Sequence, residues 1–201
     1  MKKIETIWHH LLYAAHTEGR YRWTQQELAR DFGYSLSTVH HALEKPCAIG
    51  SVRKESKFFV LEDAQKLLYY WASVRALERD ILAASSMEAS VHDIEGWACP
   101  GSIFACFSAA ARILREPPAD YDTVHFYVAR KDLASFRERF PAAQRKKRRN
   151  VIALAMPEVM TRYGGVTTLP QTFVDCWNLP DWYAREFCNA LERLLFPSES
   201  P

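Results

Sequence analysis

Three groups of residues in this 201-residue sequence have types and spacing suited to chemistry. Asp120-Tyr121-Asp122 sets two carboxylates two positions apart. On a strand both would leave the same face and could share a divalent cation. In the loop after Pro117-Pro118 the same pair would only be solvated, and the next strand-like stretch, 151–156, offers no third carboxylate. Arg145, Lys146, Lys147, Arg148 and Arg149 form an unbroken cationic run. Such charges repel one another, and a polyanion relieves that cost; a solvated loop is the alternative. The pairs His9-His10 and His40-His41 suggest metal ligands, but helical neighbours point about 100° apart and no acid or thiol completes either site, so no metal is expected. There is no G-x-S-x-G, no Gly-rich phosphate loop and no H-E-x-x-H, so the motifs name no catalytic residue and no cofactor.

The elements that must position these groups are legible in outline. Apolar residues make up 48% of the chain, with six Trp, nine Tyr and eleven Phe, enough for packed cores in two small domains. No apolar run approaches the ~20 residues of a membrane span, and Met1-Lys2-Lys3-Ile4-Glu5 lacks the apolar stretch of an export signal. Cys47, Cys99, Cys106, Cys176 and Cys188 are odd in number and unpaired in spacing, which predicts free thiols in a reducing cytoplasm. Net charge is only +2, yet the cations gather in two places, Arg20–Lys57 and Arg137–Arg149. That distribution suits a nucleic-acid surface on a near-neutral protein.

Within the first cationic region the register of side chains predicts a helix-turn-helix. Ile4, Ile7, Trp8, Leu11, Leu12 and Ala15 share one face of a first helix. Thr24 and Glu27 form a capping box for a second, which Gly33 ends; Ser35 caps a third that is expected to stop at Pro46. Leu28, Ala29, Phe32, Tyr34, Val39 and Ala42 fall at the positions expected to be buried between helices two and three. Thr24 and Gln25 at the start of helix two are expected DNA contacts, and Ser35, Leu36, Ser37, Thr38, His40, His41 and Lys45 lie on or near the outer face of helix three, suited to base edges and phosphates. A plain helical hairpin would share the turn, but strand-like stretches 48–54 and 57–61 follow, with Arg53, Lys54 and Lys57 at the tip of the hairpin they form. Over residues 4–62 this pattern resembles winged-helix transcription regulators of bacteria and archaea.

Asp63 is expected to cap a long connecting helix, Ala64 to about Ala84, with Leu67, Trp71, Val74, Leu77 and Ile81 on one stripe available for packing or for a homodimer. Domains are accordingly expected at 1–84 and 90–197. The second alternates strands (94–98, 123–128, 151–156, an edge at 166–169) with helices (103–115, 133–140, 171–179, 182–196), an α+β (mixed) pattern. Pro100-Gly101-Ser102-Ile103-Phe104-Ala105, the strand Val124 to Val128, the segment 166–175 and the helix Ala184 to Leu195 together resemble AbiEi-type regulators of abortive-infection, type IV toxin–antitoxin systems, and more distantly the nucleotidyltransferase fold. The resemblance implies an autorepressing antitoxin binding double-stranded DNA, with RNA or a cognate toxin as further partners. In that fold a Gly-Ser turn and metal-holding carboxylates carry catalysis. Gly101-Ser102 and the pair Asp120/Asp122 are present without a third acid, which implies a non-catalytic relative. The competing implication is a nucleotidyltransferase guided by its nucleic-acid-binding domain, and the two differ in whether Gly101-Ser102 and the aspartates converge.

Overall fold

A computed structural model describes residues 1–143 and 148–197. Helices and two separate sheets make the fold a mixed α and β one, and the chain divides into two compact units at Arg75/Ala76. Among the described residues no helix is long and apolar enough to cross a membrane.

In the first unit, α1 (Lys3–Glu18) buries Ile7, Trp8, Leu11, Leu12 and Ala15 of the expected face, leaves Ile4 half-buried, and adds Glu5 and His9. A two-residue strand, β1 (Arg22–Trp23), follows; the sequence did not suggest it. Next comes α2 (Gln25–Phe32), with the Thr24/Glu27 capping box intact and Gly33 left-handed at φ 63°. Then α3 (Leu36–Ala48) starts on the Ser35 hydroxyl, which accepts from the Thr38 N–H. Leu28, Phe32, Val39 and Ala42 are buried as expected, whereas Ala29 and Tyr34 are only half-buried. Strands β2 (Val52–Lys54) and β3 (Phe59–Leu61) form an antiparallel hairpin, and β1 completes the sheet in the order β1-β3-β2. The hairpin is shorter than expected because Ala48 still belongs to α3.

That helix does not stop at Pro46. A proline carries no N–H, so inside a helix it leaves the carbonyl four residues back without its donor. Here that carbonyl belongs to Ala42, and it accepts the Trp8 indole N–H at 2.6 Å in a buried position. The side chain of α1 replaces the missing backbone bond. Trp8→Phe is therefore expected to destabilise the unit by about 1–2 kcal/mol in urea unfolding, since a buried acceptor is left unsatisfied. Adding Pro46→Ala, which restores the backbone donor, should recover part of that loss; no recovery would mean the indole bond is not what lets the helix continue.

The last helix of this unit, α4 (Ala64–Val74), is capped by Asp63, whose carboxylate accepts from the Lys66 N–H at 2.8 Å. It ends ten residues before the expected Ala84. Arg75 turns to an extended conformation (φ −67°, ψ 132°) and is buried against Glu5. Leu67, Leu68, Trp71 and Ala72 are used in the unit's own core, while Val74 and Ile81 of the expected stripe are exposed.

The second unit begins with a single 3₁₀ turn, Leu77–Asp80, and continues as a strand, β4 (Ile81–Ser85), where helix was expected. Non-local pairing decides this: Ile81 pairs with Leu154 and Ser85 with Val151. Then α5 (Val91–Gly96) occupies the stretch expected as a strand, because the Ser90 hydroxyl caps it by accepting from the Asp93 N–H. Gly101-Ser102 leads into a strand, β5 (Ile103–Ala105), and the helix expected from Ile103 starts later, as α6 (Cys106–Leu114). β6 (Val124–Val128), α7 (Leu133–Arg139) and β7 (Val151–Ala155) match the expected order. The expected edge at 166–169 is reduced to one bridge, Phe104 with Val166, because Thr168 caps α8 (Leu169–Trp177). α9 (Ala184–Leu195) closes the described chain.

The sheet order is β4-β7-β6-β5, parallel only between β6 and β7. Alternation along β6 sorts its residues between two faces. Val124, Phe126 and Val128 pack with Ile94, Phe136 and Phe140 of α5 and the α7 segment. His125 and Tyr127 serve the other face, where Phe107 meets His125 and Phe187, and the Tyr127 hydroxyl donates to Asp175 at 2.9 Å. Gln171 donates to the same carboxylate at 2.8 Å, closing a buried polar network across β6 and α8.

Candidate nucleic-acid interface

Three clusters in the first unit gather most of the residues singled out by the sequence. The first is a groove of about 460 Å³ between the start of α2 and the β2–β3 turn, lined by Thr24, Gln25 and Gln26 on one side and Lys54, Ser56, Lys57, Phe58, Phe59 and Glu55, the last paired with Arg53, on the other. The leading N–H groups of a helix carry partial positive charge, and two lysines opposite them favour an anion between. The Glu27 carboxylate in the first turn of α2 has its charge met by Arg20, whose hydrogen bond lowers its pKa and keeps it ionised. Neither Lys54 nor Lys57 makes an ion pair among the described residues, and both are exposed. The turn itself is closed by the Glu55 N–H bonding the Phe58 carbonyl at 2.8 Å, and the Arg22 guanidinium lies 3.5 Å over the Phe58 ring.

The second cluster opens α3. The Ser35 hydroxyl lies 2.9 Å from the hydroxyls of both Ser37 and Thr38, so three small hydroxyls share one spot. Ser35, Leu36 and Ser37 are exposed, and Thr38 is half-buried. The third cluster, one turn on, was not foreseen in full. His41 Nδ1 lies 2.9 Å from Glu44 and His40 Nε2 3.9 Å from the same carboxylate, which puts an acid in the middle of the outer face. The i, i+3 and i, i+4 spacing was visible in the sequence and could have flagged it. Lys45 is exposed beside this cluster.

Other expected residues fall elsewhere. Arg53 is held by Glu55 and, at 2.8 Å, by Glu62, so it is not the available cation the hairpin pattern suggested. Of the basic run, Arg145, Lys146 and Lys147 lie outside the described residues. Arg148 is bound to Asp122, and Arg149 is exposed.

The register of β5 and β6 separates the two groups that nucleotidyl transfer would need together. Ile103 pairs with Tyr127, so Gly101-Ser102 stands at the Val128 end of β6, whereas Asp120 and Asp122 precede Val124 at the opposite end. The five-residue strand between them is about 13 Å long at ~3.3 Å per residue. Asp122 faces Arg148 and the Tyr183 hydroxyl rather than a glycine turn. Among the described residues no three His, Cys, Asp or Glu side chains assemble into a cation site. His9 is buried beside Trp71, and His10 packs edge-on against Phe32.

Comparison with family models, with curated proteins and with solved structures returns no match to this chain.

Proposed function

We propose that the protein is a sequence-specific, double-stranded-DNA-binding regulator that reads bases with α3 and holds the backbone with the α2 start and the β2–β3 wing. The observation that carries this reading is the groove in which the N-terminus of α2 faces Lys54 and Lys57, next in sequence to a helix whose outer face is hydroxyl, imidazole and carboxylate. Cations and helix N-termini position a protein on phosphates, while short polar side chains identify base edges. Glu44 adds an acceptor of the kind that suits a cytosine amino group. Arg149, together with the basic residues preceding it in the sequence, would extend the phosphate contact. A winged helix joined to a nucleotidyltransferase-like platform, an autorepressing antitoxin of the AbiEi kind, and RNA or toxin partners are narrower forms of the proposal that rest on sequence resemblance. A cytoplasmic setting goes with them, since all five cysteines are free thiols.

Selection of bound duplexes from a random double-stranded pool tests it. Enrichment of a defined sequence is expected. Thr38→Ala with His41→Ala should lower the affinity for that sequence by ~1–3 kcal/mol for each base-edge hydrogen bond the two side chains supply. Lys54→Glu with Lys57→Glu should instead weaken all duplexes alike and flatten the log-affinity against log-salt slope by about two units. A pool that emerges unenriched from repeated rounds would remove the proposal.

A further inference from the structure

A cleft in the second unit is lined by none of the residues assigned above to base or wing contacts. Its volume is about 360 Å³, inside the ~300–1,000 Å³ range of small-molecule sites. Ile81 of β4 and Ile152 and Leu154 of β7 form the floor, with Leu179 of the α8–α9 loop also lining it. The charged groups of the lining are of both signs. Arg148 is committed to Asp122 and stands 4.0 Å from Asp181. Arg149 and Glu78 make no ion pair among the described residues. His125 also lines the cleft; it is 5% exposed, and its Nδ1 has no hydrogen-bond partner among the described residues.

We propose that this cleft binds a free α-amino acid with an aromatic side chain, its carboxylate on Arg149, its ammonium on Glu78 and Asp181, and its ring on the Ile81–Ile152–Leu154 floor. Each part of the lining meets a part of such a ligand. A simple carboxylate would leave two acidic groups facing it, and a simple amine would meet Arg149, so a zwitterion is the species that suits both signs. Inorganic phosphate and other compact anions would leave the apolar floor wetted. Burial holds the His125 imidazole neutral, with its pKa lowered to about 4. A neutral ring offers a hydrogen bond without a competing charge, and a ligand with a phenol or indole N–H can use it. Arg149 is shared with the phosphate contact proposed above, whereas Glu78, Asp181 and the apolar floor belong to the cleft alone, so amino-acid binding is read separately from DNA binding.

Titration calorimetry on the full chain with L-tryptophan and L-tyrosine tests the assignment. Saturable one-to-one binding of at least one of them is expected. Tryptamine and 3-indolepropionate, or tyramine and 3-(4-hydroxyphenyl)propionate, should each bind about tenfold more weakly or worse, because each lacks one charge-assisted bond. Arg149→Gln and Glu78→Gln, both exposed positions, should each cost a similar factor while circular dichroism stays unchanged. Absence of saturable binding up to millimolar concentrations of both amino acids overturns the proposal. So does equal affinity for the amine or the acid alone, or binding that neither variant alters.

Discussion

Arg75→Met is expected to destabilise the first unit by about 3–5 kcal/mol, the cost of removing one partner from a buried ion pair. The Arg75 guanidinium lies 3.2 Å from the Glu5 carboxylate, and the two side chains are 2% and 3% exposed. Arg75 ends the unit's last helix, and Glu5 sits in the first turn of α1, so the pair ties the ends of a seventy-residue stretch together. Without the guanidinium, the carboxylate must either stay charged away from water or take up a proton, and both are unfavourable. The pair as a whole is worth far less than either single loss, because forming it already required stripping water from two charges. Glu5→Met with Arg75→Met should therefore regain most of what the single variant loses. Urea unfolding followed by tryptophan fluorescence reads all three proteins. A single variant within about 1 kcal/mol of the parent would contradict the buried geometry.

What the sequence disclosed about the fold follows how local each determinant is. The Thr24/Glu27 box, Gly33 and Ser35 act within four residues, and all three stand where they were expected. An equally local determinant, the Ser90 hydroxyl accepting from the Asp93 N–H, starts α5 where a strand is expected at 94–98. Elsewhere the deciding partner is far along the chain. β1 exists because Trp23 pairs with Phe59, and β4 because Ile81–Ser85 pairs with β7. A helical stripe through Leu77 and Ile81 was therefore coincidence of period. Pro46 reads as a helix stop until Trp8, thirty-four residues before Ala42, supplies the missing donor.

The candidate interface divides in the same way. Helical period alone turned Ser35, Ser37, His40 and His41 outward, and they are exposed. The meeting of Gln25 with Lys57 required the hairpin to fold back over α2, and the engagement of Arg53 by Glu62 required the pairing of β2 with β3. Gly101-Ser102 and Asp120/Asp122 sit some twenty residues apart in sequence, which says nothing about which end of a strand each will reach. Only the antiparallel register of β5 on β6 places them at opposite ends.

Lowering the pH from 7 to 4.5 is expected to take about 2.5 kcal/mol from the stability of each unit through one buried histidine apiece. Burial lowers the pKa of His9 from its ordinary 6.5 to about 3, with His10 adding repulsion. Burial lowers that of His125 to about 4, opposed only in part by the Thr123 backbone. Both imidazoles are neutral in the folded chain across this range, while in the unfolded chain they take up protons below about 6.5. The unfolded state therefore binds more protons as pH falls, and stability drops by about 1.4 kcal/mol per pH unit per histidine until the folded-state pKa is reached. The stabilisation is fully present above 6.5 and is lost on the acid side. Carboxylates in ion pairs, such as Glu27 beside Arg20, add to acid sensitivity only at the lower end, because their own unfolded pKa is near 4.5. The upper part of the window, from about pH 6.5 to about 5, is the histidines' own. Denaturant midpoints measured at half-unit steps should show His9→Gln and His125→Gln each losing a share of the slope there, whatever they do to stability at pH 7. If the slopes of both variants equal that of the parent, neither imidazole is held neutral by the fold.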